Sequence, residues 1–380
     1  MRKSADIVVI GGGSVGCTTA YYLAKKGIKN IVLLEKDCLA YGSTGRCGAG
    51  IRQMWGTEMN CLISRGSCEL FKEIGEESGY GDIEFEQRGY LLISYREDRA
   101  EMLDKNLALQ HRLGISSKKL TPEEAKELVP QLNTEGLVGA YYGPEDGFIN
   151  PFKATYAFAY GAERLGVEIN QQTEVIGFET NGRQITGVIT NKGTIATNTV
   201  INAAGPHCKF IGQMLGMGHP IEPERHQILI TEPMEHMMDP MVMSFDHSSY
   251  CQQVRHGGFL MGFGHPHEPK GINFANSADF MEEMAQKIVY QLPFLKDLRV
   301  VRQWAGHYDT SPDAQPILGK VPEYDGYLIA CGCGKGFMLA PMIGKMMSEF
   351  LMGEKSIIDI NILSVERFAK GELIFEPAVV

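Results

Sequence analysis

A glycine-rich turn near the amino terminus constrains this chain more than any other feature. The short apolar run from Asp6 to Ile10 stops at Gly11-Gly12-Gly13-Ser14-Val15-Gly16, and a helical pattern then continues to Lys26 and stops at Gly27. A second apolar run, Asn30 to Leu34, closes on Glu35. Strand, turn, helix and strand in that order read as a βαβ unit with a right-handed crossover against a parallel sheet. Gly11 allows the tight turn, Gly13 lets the backbone approach a pyrophosphate, and Gly16 permits close packing of helix on strand. The helix N-terminus at Ser14 and Val15 adds N–H donors and the positive end of a dipole. Glu35, 19 residues after Gly16, is placed to accept a ribose hydroxyl. Its charge repels a 2′-phosphate, which disfavours NADP. The turn alone serves NAD or FAD, and in a chain with 44 glycines it can also arise by chance.

The next segment argues for FAD. A nicotinamide dehydrogenase would continue with further βα units, whereas here comes Tyr41-Gly42-Ser43-Thr44-Gly45-Arg46-Cys47-Gly48-Ala49-Gly50-Ile51-Arg52. So small and hydroxyl-rich a stretch lets backbone lie flat against a large planar ring while Ser43, Thr44 and Arg46 reach phosphates; the bland alternative is a surface loop. Near the carboxyl end, Cys331-Gly332-Cys333-Gly334-Lys335-Gly336-Phe337 precedes a helix from about Met338 to Leu351. Glycines there bring a helix dipole close to a ligand, and a flavin accumulates negative charge near N1 and O2. Lys335 either adds to that field or is a solvated loop lysine.

Composition removes several function classes. The 380 residues are 44% hydrophobic, enough for a sizeable core. Against 46 acidic residues stand 36 basic ones, a net charge of -10, which disfavours nucleic acid or an anionic membrane as main partner. Nine scattered cysteines show no paired CxxC units, so the reading is reduced thiols, no metal site and a cytoplasmic protein. The amino-terminal apolar stretch is too short for a signal sequence, and no later run reaches the roughly 18 residues of a membrane span.

Further along, Val175 to Glu179, Ile185 to Thr190 and Thr199 to Ala203 read as a β-meander whose last run re-enters the nucleotide-binding sheet. Gly89 to Tyr95, Gln227 to Thr231 and Gly258 to Phe263 are β-rich, and helical patterns cover Asp98 to Leu113 and Ala278 to Leu292. Together these give an antiparallel sheet with flanking helices, built from two separated insertions. Thr121 and Glu124 form a capping-box pattern.

With these motifs in hand the chain resembles a known family. The first glycine turn with Glu35, the Gly42 to Arg52 stretch, Asn202-Ala203-Ala204-Gly205-Pro206, Trp304-Ala305-Gly306 with Ser311-Pro312-Asp313, and the closing Gly334-Lys335-Gly336-Phe337-Met338 look like the D-amino-acid oxidase superfamily. The likeness runs end to end and is greatest to the beta subunits of sarcosine oxidase and of dye-linked L-proline dehydrogenase. It implies an α/β fold, a Rossmann-like FAD-binding domain of glutathione-reductase type (1–82, 146–216 and 312–380), carrying an inserted antiparallel-sheet α+β substrate domain (83–145 and 217–311). It also implies that Gly11, Gly13, Ser14, Val15, Gly16, Glu35 and Lys36 hold the ADP part, and Gly42, Ser43, Thr44 and Arg46, with Cys47, Gly48, Ala49 and Gly50 beyond them, the pyrophosphate and ring. Val175 would meet the adenine, Ala203, Ala204 and Gly205 the ribityl chain, and Gly334, Lys335, Gly336, Phe337 and Met338 the pyrimidine edge. Single-chain relatives attach flavin to a cysteine shortly before the Ser311 region, where this chain has Gly306, so FAD is expected to be non-covalent.

The resemblance implies oxidation of a small amino acid or secondary amine by hydride transfer to flavin N5, with proline, hydroxyproline or sarcosine as candidate substrates. Arg52, just past the flavin loop, is the candidate carboxylate clamp, since a guanidinium binds carboxylate through two parallel hydrogen bonds; a structural ion pair is the alternative. His226, His265, Tyr250 and Tyr308 are candidate pocket residues, because the family places aromatic and imidazole groups above the ring. The expected setting is the beta-type subunit of a dehydrogenase complex with alpha and small electron-transfer subunits, and some relatives hold FMN at a subunit interface. A stand-alone peroxide-producing oxidase and a non-catalytic FAD-binding subunit are the competing readings.

Overall fold

The computed structural model describes residues 1–265, 267–332 and 334–378. Among them a six-stranded sheet forms the nucleotide-binding layer. Its central strands are Ile7–Ile10, flanked by Ile31–Leu34 and Val200–Asn202 in parallel register, with Glu168–Asn170 outside on one side and Tyr327–Cys331 and the antiparallel Ile317–Lys320 on the other. The strands Ile-Val-Val-Ile and Ile-Val-Leu-Leu are buried on every residue, as a sheet covered on both faces requires.

The helix Ser14–Lys25 is buried along nearly its whole length. Ten of its residues are buried, from Ser14 through Ala24 with only Val15 more open, because the helices Pro151–Arg164 and Gly336–Met352 pack against it as well as the sheet. Gly344 makes that approach possible, since a Cβ there would lie 2.5 Å from the Thr18 carbonyl carbon. The helix Glu58–Ser78 completes this layer; Thr57 caps its start and left-handed Gly79 its end.

An eight-stranded sheet forms the second layer, in the order Val300–Thr310, Glu222–Thr231, Phe259–Phe263, Ser249–Gln253, Met241–Ser244, Tyr90–Ser94, Gly139–Gly143, Lys118–Leu120. It contains all three β-rich segments read from the insertions. It is antiparallel except at one seam, where Met241–Ser244 runs parallel to Tyr90–Ser94. The seam joins strands from two separate stretches of chain, so no hairpin dictates its direction. The helices Glu97–Arg112 and Ala278–Gln291 match the predicted segments, and Thr121 and Glu124 form the reciprocal capping box. The meander is corrected in one member. Its third strand is Gly193–Ala196, pairing with Gln184–Thr190, while the run around Val200–Asn202 lies in the parallel sheet.

Asp146 joins the layers. Its Oδ1 accepts from Gln53 N at 2.9 Å, and its Oδ2 is buried without a hydrogen-bond partner. Burial raises its pKa to about 7, with the Gln53 amide and the nearby Arg52 charge pulling the other way. A carboxyl whose folded pKa lies above its unfolded value stabilises the fold most at low pH and loses that contribution as pH rises through the folded value. Asp146→Asn keeps an oxygen acceptor and does not ionise. The stability difference between variant and parent, measured by urea denaturation of the FAD-loaded proteins, should therefore shift in favour of the variant between about pH 5 and about pH 8. An unchanged difference would show that Asp146 is already ionised in the folded protein at about pH 5, its pKa not raised by burial.

Candidate active site

One elongated cavity runs along the carboxyl ends of the parallel strands and under the eight-stranded sheet, the place where open α/β sheets bind ligands. At one end it is lined by Glu35, Lys36, Asp37, Glu174 and Val175. Its middle passes Gly11, Gly13, Ser14, Val15, Gly42, Ser43, Thr44, Arg46, Ala203, Ala204 and Gly205. At the far end stand Cys47, Gly48, His226, Ile228, Tyr250, Gly306, Tyr308, Gly334, Gly336 and Phe337.

The glycine turn is built as its chemistry demands. Gly11 has φ +112°, and a Cβ on it would stand 2.5 Å from the Ala203 carbonyl oxygen. On Gly16 a Cβ would lie 1.8 Å from the Gly11 carbonyl oxygen, so the helix packs onto the turn only as glycine. Gly13 faces the cavity, with Thr44 Oγ1 3.2 Å from the place of a Cβ. Thr44 Oγ1 accepts from Ser14 N at 3.1 Å, tying the flavin loop to the helix start. Glu35 holds the other side: its Oε2 accepts from Gly12 N at 2.7 Å and its Oε1 from Asp37 N at 2.8 Å. Burial raises the Glu35 pKa, and those two amides draw it back.

The flavin loop is fastened to the roof sheet. Ser43 Oγ donates to the His307 carbonyl at 2.6 Å, Trp304 Nε1 to the Arg46 carbonyl at 2.9 Å, and Gln252 Nε2 to the Gly48 carbonyl at 2.7 Å. Gly306 allows the approach, since a Cβ there would meet Arg46 Cβ at 3.1 Å. Arg46 lies over the rings of Phe274 and Tyr41, at 4.6 and 5.1 Å. Cys47 donates to the Thr44 carbonyl, and burial pushes its thiol up to about 12, so it stays protonated.

Three of the four predicted pocket residues come together. The His226 ring stacks on Tyr308 at 4.7 Å and on Tyr250 at 5.9 Å, and its Nε2 lies 3.1 Å from the Tyr250 hydroxyl. Burial lowers the His226 pKa to about 4 and raises both tyrosines, so this roof is uncharged at neutral pH.

Other predicted residues stand elsewhere. His265 lies beyond the strand Phe259–Phe263, its ring exposed and 3.9 Å from Glu283, and it does not line the cavity. The strand ends before it, so nothing turns its side chain inward. Arg52 is buried behind the cavity wall, with its guanidinium 3.8 Å from the centre of the Trp55 ring; Nη2 donates to the Ala378 carbonyl at 2.6 Å and Nη1 lies 3.5 Å from Met243 Sδ. Lys335 is buried rather than solvated, donating to the Ala314 carbonyl with its ammonium 5.5 Å from the Trp55 ring. Met338 packs beside Trp55 and Cys61 rather than lining the cavity. Ala49 and Gly50 lie under the loop, where a Cβ on Gly50 would collide with the Tyr90 hydroxyl. Cys333 falls outside the described residues.

The sequence reading missed Asp309 and His307, both in the lining. Asp309 Oδ1 accepts from Gly334 N at 2.9 Å and its Oδ2 from Cys331 Sγ at 2.8 Å, which orders the glycine-rich entry to the last long helix. His307 Nε2 accepts from Asn273 N at 2.7 Å. Their signal was only their position beside Gly306 and Tyr308, on a strand whose end curls over the cavity. Among the described residues no cluster of His, Cys, Asp or Glu could hold a metal, and no helix is long and apolar enough to cross a membrane.

A parallel sheet with a glycine cradle, an acidic residue closing its second strand beside the cavity and an uncharged aromatic roof defines a flavin-dependent oxidoreductase. The chain belongs to the FAD dependent oxidoreductase family, whose profile matches residues 6–350. It is 33% identical to sarcosine oxidase subunit beta of Arthrobacter sp over 382 residues, covering 99% of this chain and 94% of that one. The crystal structure of L-proline dehydrogenase from P. horikoshii matches with TM-score 0.93 and 38% identity, covering 98% of this chain and 100% of that one. Glycine oxidase from Geobacillus kaustophilus shares the fold at TM-score 0.87 with 22% identity, covering 96% and 99%.

The cradle fits FAD: Gly13 leaves room where a side chain would stand, and the first helical amides have no carbonyl one turn back to bond. Gly13→Ala should lower FAD affinity about tenfold or more, equivalent to about 1.4 kcal/mol, because the methyl takes the phosphate's space. The apo-protein's melting temperature should move little. Quenching of flavin fluorescence on titration checks the first, and calorimetry of the apo-protein the second.

Proposed function

We propose that this protein oxidises a small secondary amino acid, of the proline, hydroxyproline or sarcosine type, as the beta-type catalytic subunit of a dehydrogenase complex, with FAD held non-covalently. The observation that carries the reading is the stack of His226, Tyr250 and Tyr308 at the end of the dinucleotide cavity. The bound FAD supplies the acceptor for a hydride from the carbon beside nitrogen.

This chain's residues supply position and environment. With His226 neutral and Tyr250 and Tyr308 protonated, the roof holds no strong base, so the amine must enter uncharged. The aromatic faces exclude water and orient the C–H bond. Arg52 supplies the cation for a carboxylate: it is buried beside the flavin loop, and its hydrogen bonds go to a carbonyl oxygen and a thioether sulfur, not to a carboxylate. The Cys47 thiol, kept protonated, is a poor nucleophile for attaching a flavin. The subunit setting rests on the likeness to an oxidase subunit, and FMN at an interface with partner chains belongs to that same reading.

Anaerobic titration tests the function. L-proline or sarcosine should bleach the flavin band, whereas pyrrolidine, which lacks the carboxylate, should do so far less. Arg52→Ala should weaken the apparent affinity for the amino acid by about 100-fold, as for a truncated buried charge pair worth about 3 kcal/mol, and leave pyrrolidine unchanged. A flavin that only dithionite bleaches would mark a non-catalytic subunit, and rapid reoxidation with stoichiometric peroxide a stand-alone oxidase.

A further inference from the structure

The carboxyl-terminal segment ends in the apolar cluster that backs the substrate end of the cavity, and no step above uses it. Ala378 is fully buried in the apolar cluster that contains the lining residues Ile228 and Tyr250, together with Met54, Tyr90 and Phe245. Its carbonyl accepts the 2.6 Å bond from Arg52 Nη2. A neutral backbone oxygen thus takes the donor that the proposed function assigns to a substrate carboxylate.

Two residues earlier, Glu376 anchors the segment. Its Oε1 accepts from Gly56 N at 2.7 Å, and its Oε2 from Thr57 N at 3.1 Å, Thr57 Oγ1 at 2.7 Å and Asn60 Nδ2 at 2.7 Å. Thr57 is the N-cap of the helix Glu58–Ser78, so the carboxylate sits at the positive end of a 21-residue helix. Between the short helix Arg367–Lys370 and Ala378 the chain forms no regular structure, and Phe375 is 67% exposed. The amide of Ile374 donates to Asp313 Oδ2 and that of Ala378 to Glu376 Oε1, both side-chain acceptors. The segment is thus held by the carboxylates of Glu376 and Asp313, the Arg52 bond and one buried methyl group, not by a ladder of backbone bonds.

We propose that residues 373–378 form a strap over the substrate end of the cavity, latched by Glu376 and plugged by Ala378, which a ligand opens by replacing the Ala378 carbonyl with its own carboxylate on Arg52. Both bonds are charge-assisted through the guanidinium, but a carboxylate adds its own opposite charge and a second parallel hydrogen bond that a carbonyl cannot make, so an anion gains from the exchange and a neutral amine does not. The strap therefore selects for amino acids over simple amines. It rests on the reading of Arg52 as a carboxylate clamp. The closed population reduces apparent affinity in proportion to the fraction open.

Calorimetric titration of the FAD-loaded protein with pyrrole-2-carboxylate, a flat carboxylate shaped like proline, tests it. A chain ending at Glu376 keeps the helix cap and loses the plug, while Glu376→Gln keeps the plug and weakens the latch. Both should bind the carboxylate about tenfold more tightly than the unaltered chain, as for a strap open about one time in ten. In the unaltered chain, saturating carboxylate should speed hydrogen exchange at the amides of Gly56, Thr57 and Ala378. Equal or weaker binding by the shortened chain, or exchange at those amides that is unchanged or slowed, overturns the strap. If binding is Arg52-dependent in that case, the clamp stands without it. Binding that is absent, or indifferent to Arg52→Ala, overturns both.

Discussion

The approach of Gly16 to the Gly11 carbonyl is the contact on which the rest of the site depends. It locks the start of the Ser14–Lys25 helix onto the first strand, and Gly344 locks the same helix to the last long one near Thr18. Thr18 Oγ1 adds a 2.8 Å bond to the Ala340 carbonyl across that junction. A helix buried on all sides cannot tilt to suit a ligand. Its amino-terminal end, where Ser14 and Val15 line the cavity, therefore keeps its place whether or not a phosphate is there, and binding requires no reorganisation of the scaffold.

The flavin loop couples this rigid layer to the roof. Thr44 fastens it to the helix start, while His307, Trp304 and Gln252 fasten it to the eight-stranded sheet. The loop has little regular structure of its own, so these bonds set its path. A change in the roof strands thus reaches the phosphate cradle through the 42–48 segment, and the two sheets bind one ligand as a unit.

How much was legible follows from how local each cause is. The first βαβ unit, the capping box at Thr121 and the strands near 90, 228 and 260 depend on short-range sterics and alternation, and they were readable. The helix Glu58–Ser78 was not, because its buried face carries Asn60, Ser64, Ser67 and Ser78. Ser64 and Ser78 satisfy their hydroxyls on carbonyls one turn back, at 2.6 Å each, so polar residues interrupt the apolar stripe. Lys335 looks like a loop lysine in a glycine-rich context and is buried by partners some 20 and 280 positions distant, Ala314 and Trp55. His226, Tyr250 and Tyr308 were named from the resemblance, and only the sheet pairing brings them into one stack. The same route named His265, which the sheet leaves outside.

The charge balance at the ring end carries the chemistry further than the shape does. Arg52 and Lys335 lie over the ring of Trp55, at 3.8 and 5.5 Å. Burial pulls the Arg52 guanidinium below its ordinary value, yet arginine stays protonated in proteins. Asp146, the buried carboxyl nearby, is itself pushed toward neutrality. An aromatic face offsets part of the desolvation of a cation, but it carries no net charge. The Glu376 carboxylate also acts on Arg52, but its oxygens are taken up at the start of the Glu58–Ser78 helix, so the two cations stand beside an uncharged roof without a direct anionic partner for Arg52 among the described residues. On the proposed function, placing the cation behind the roof, rather than within it, would let the carboxylate be held at one point while the C–H bond is aligned under neutral rings at another.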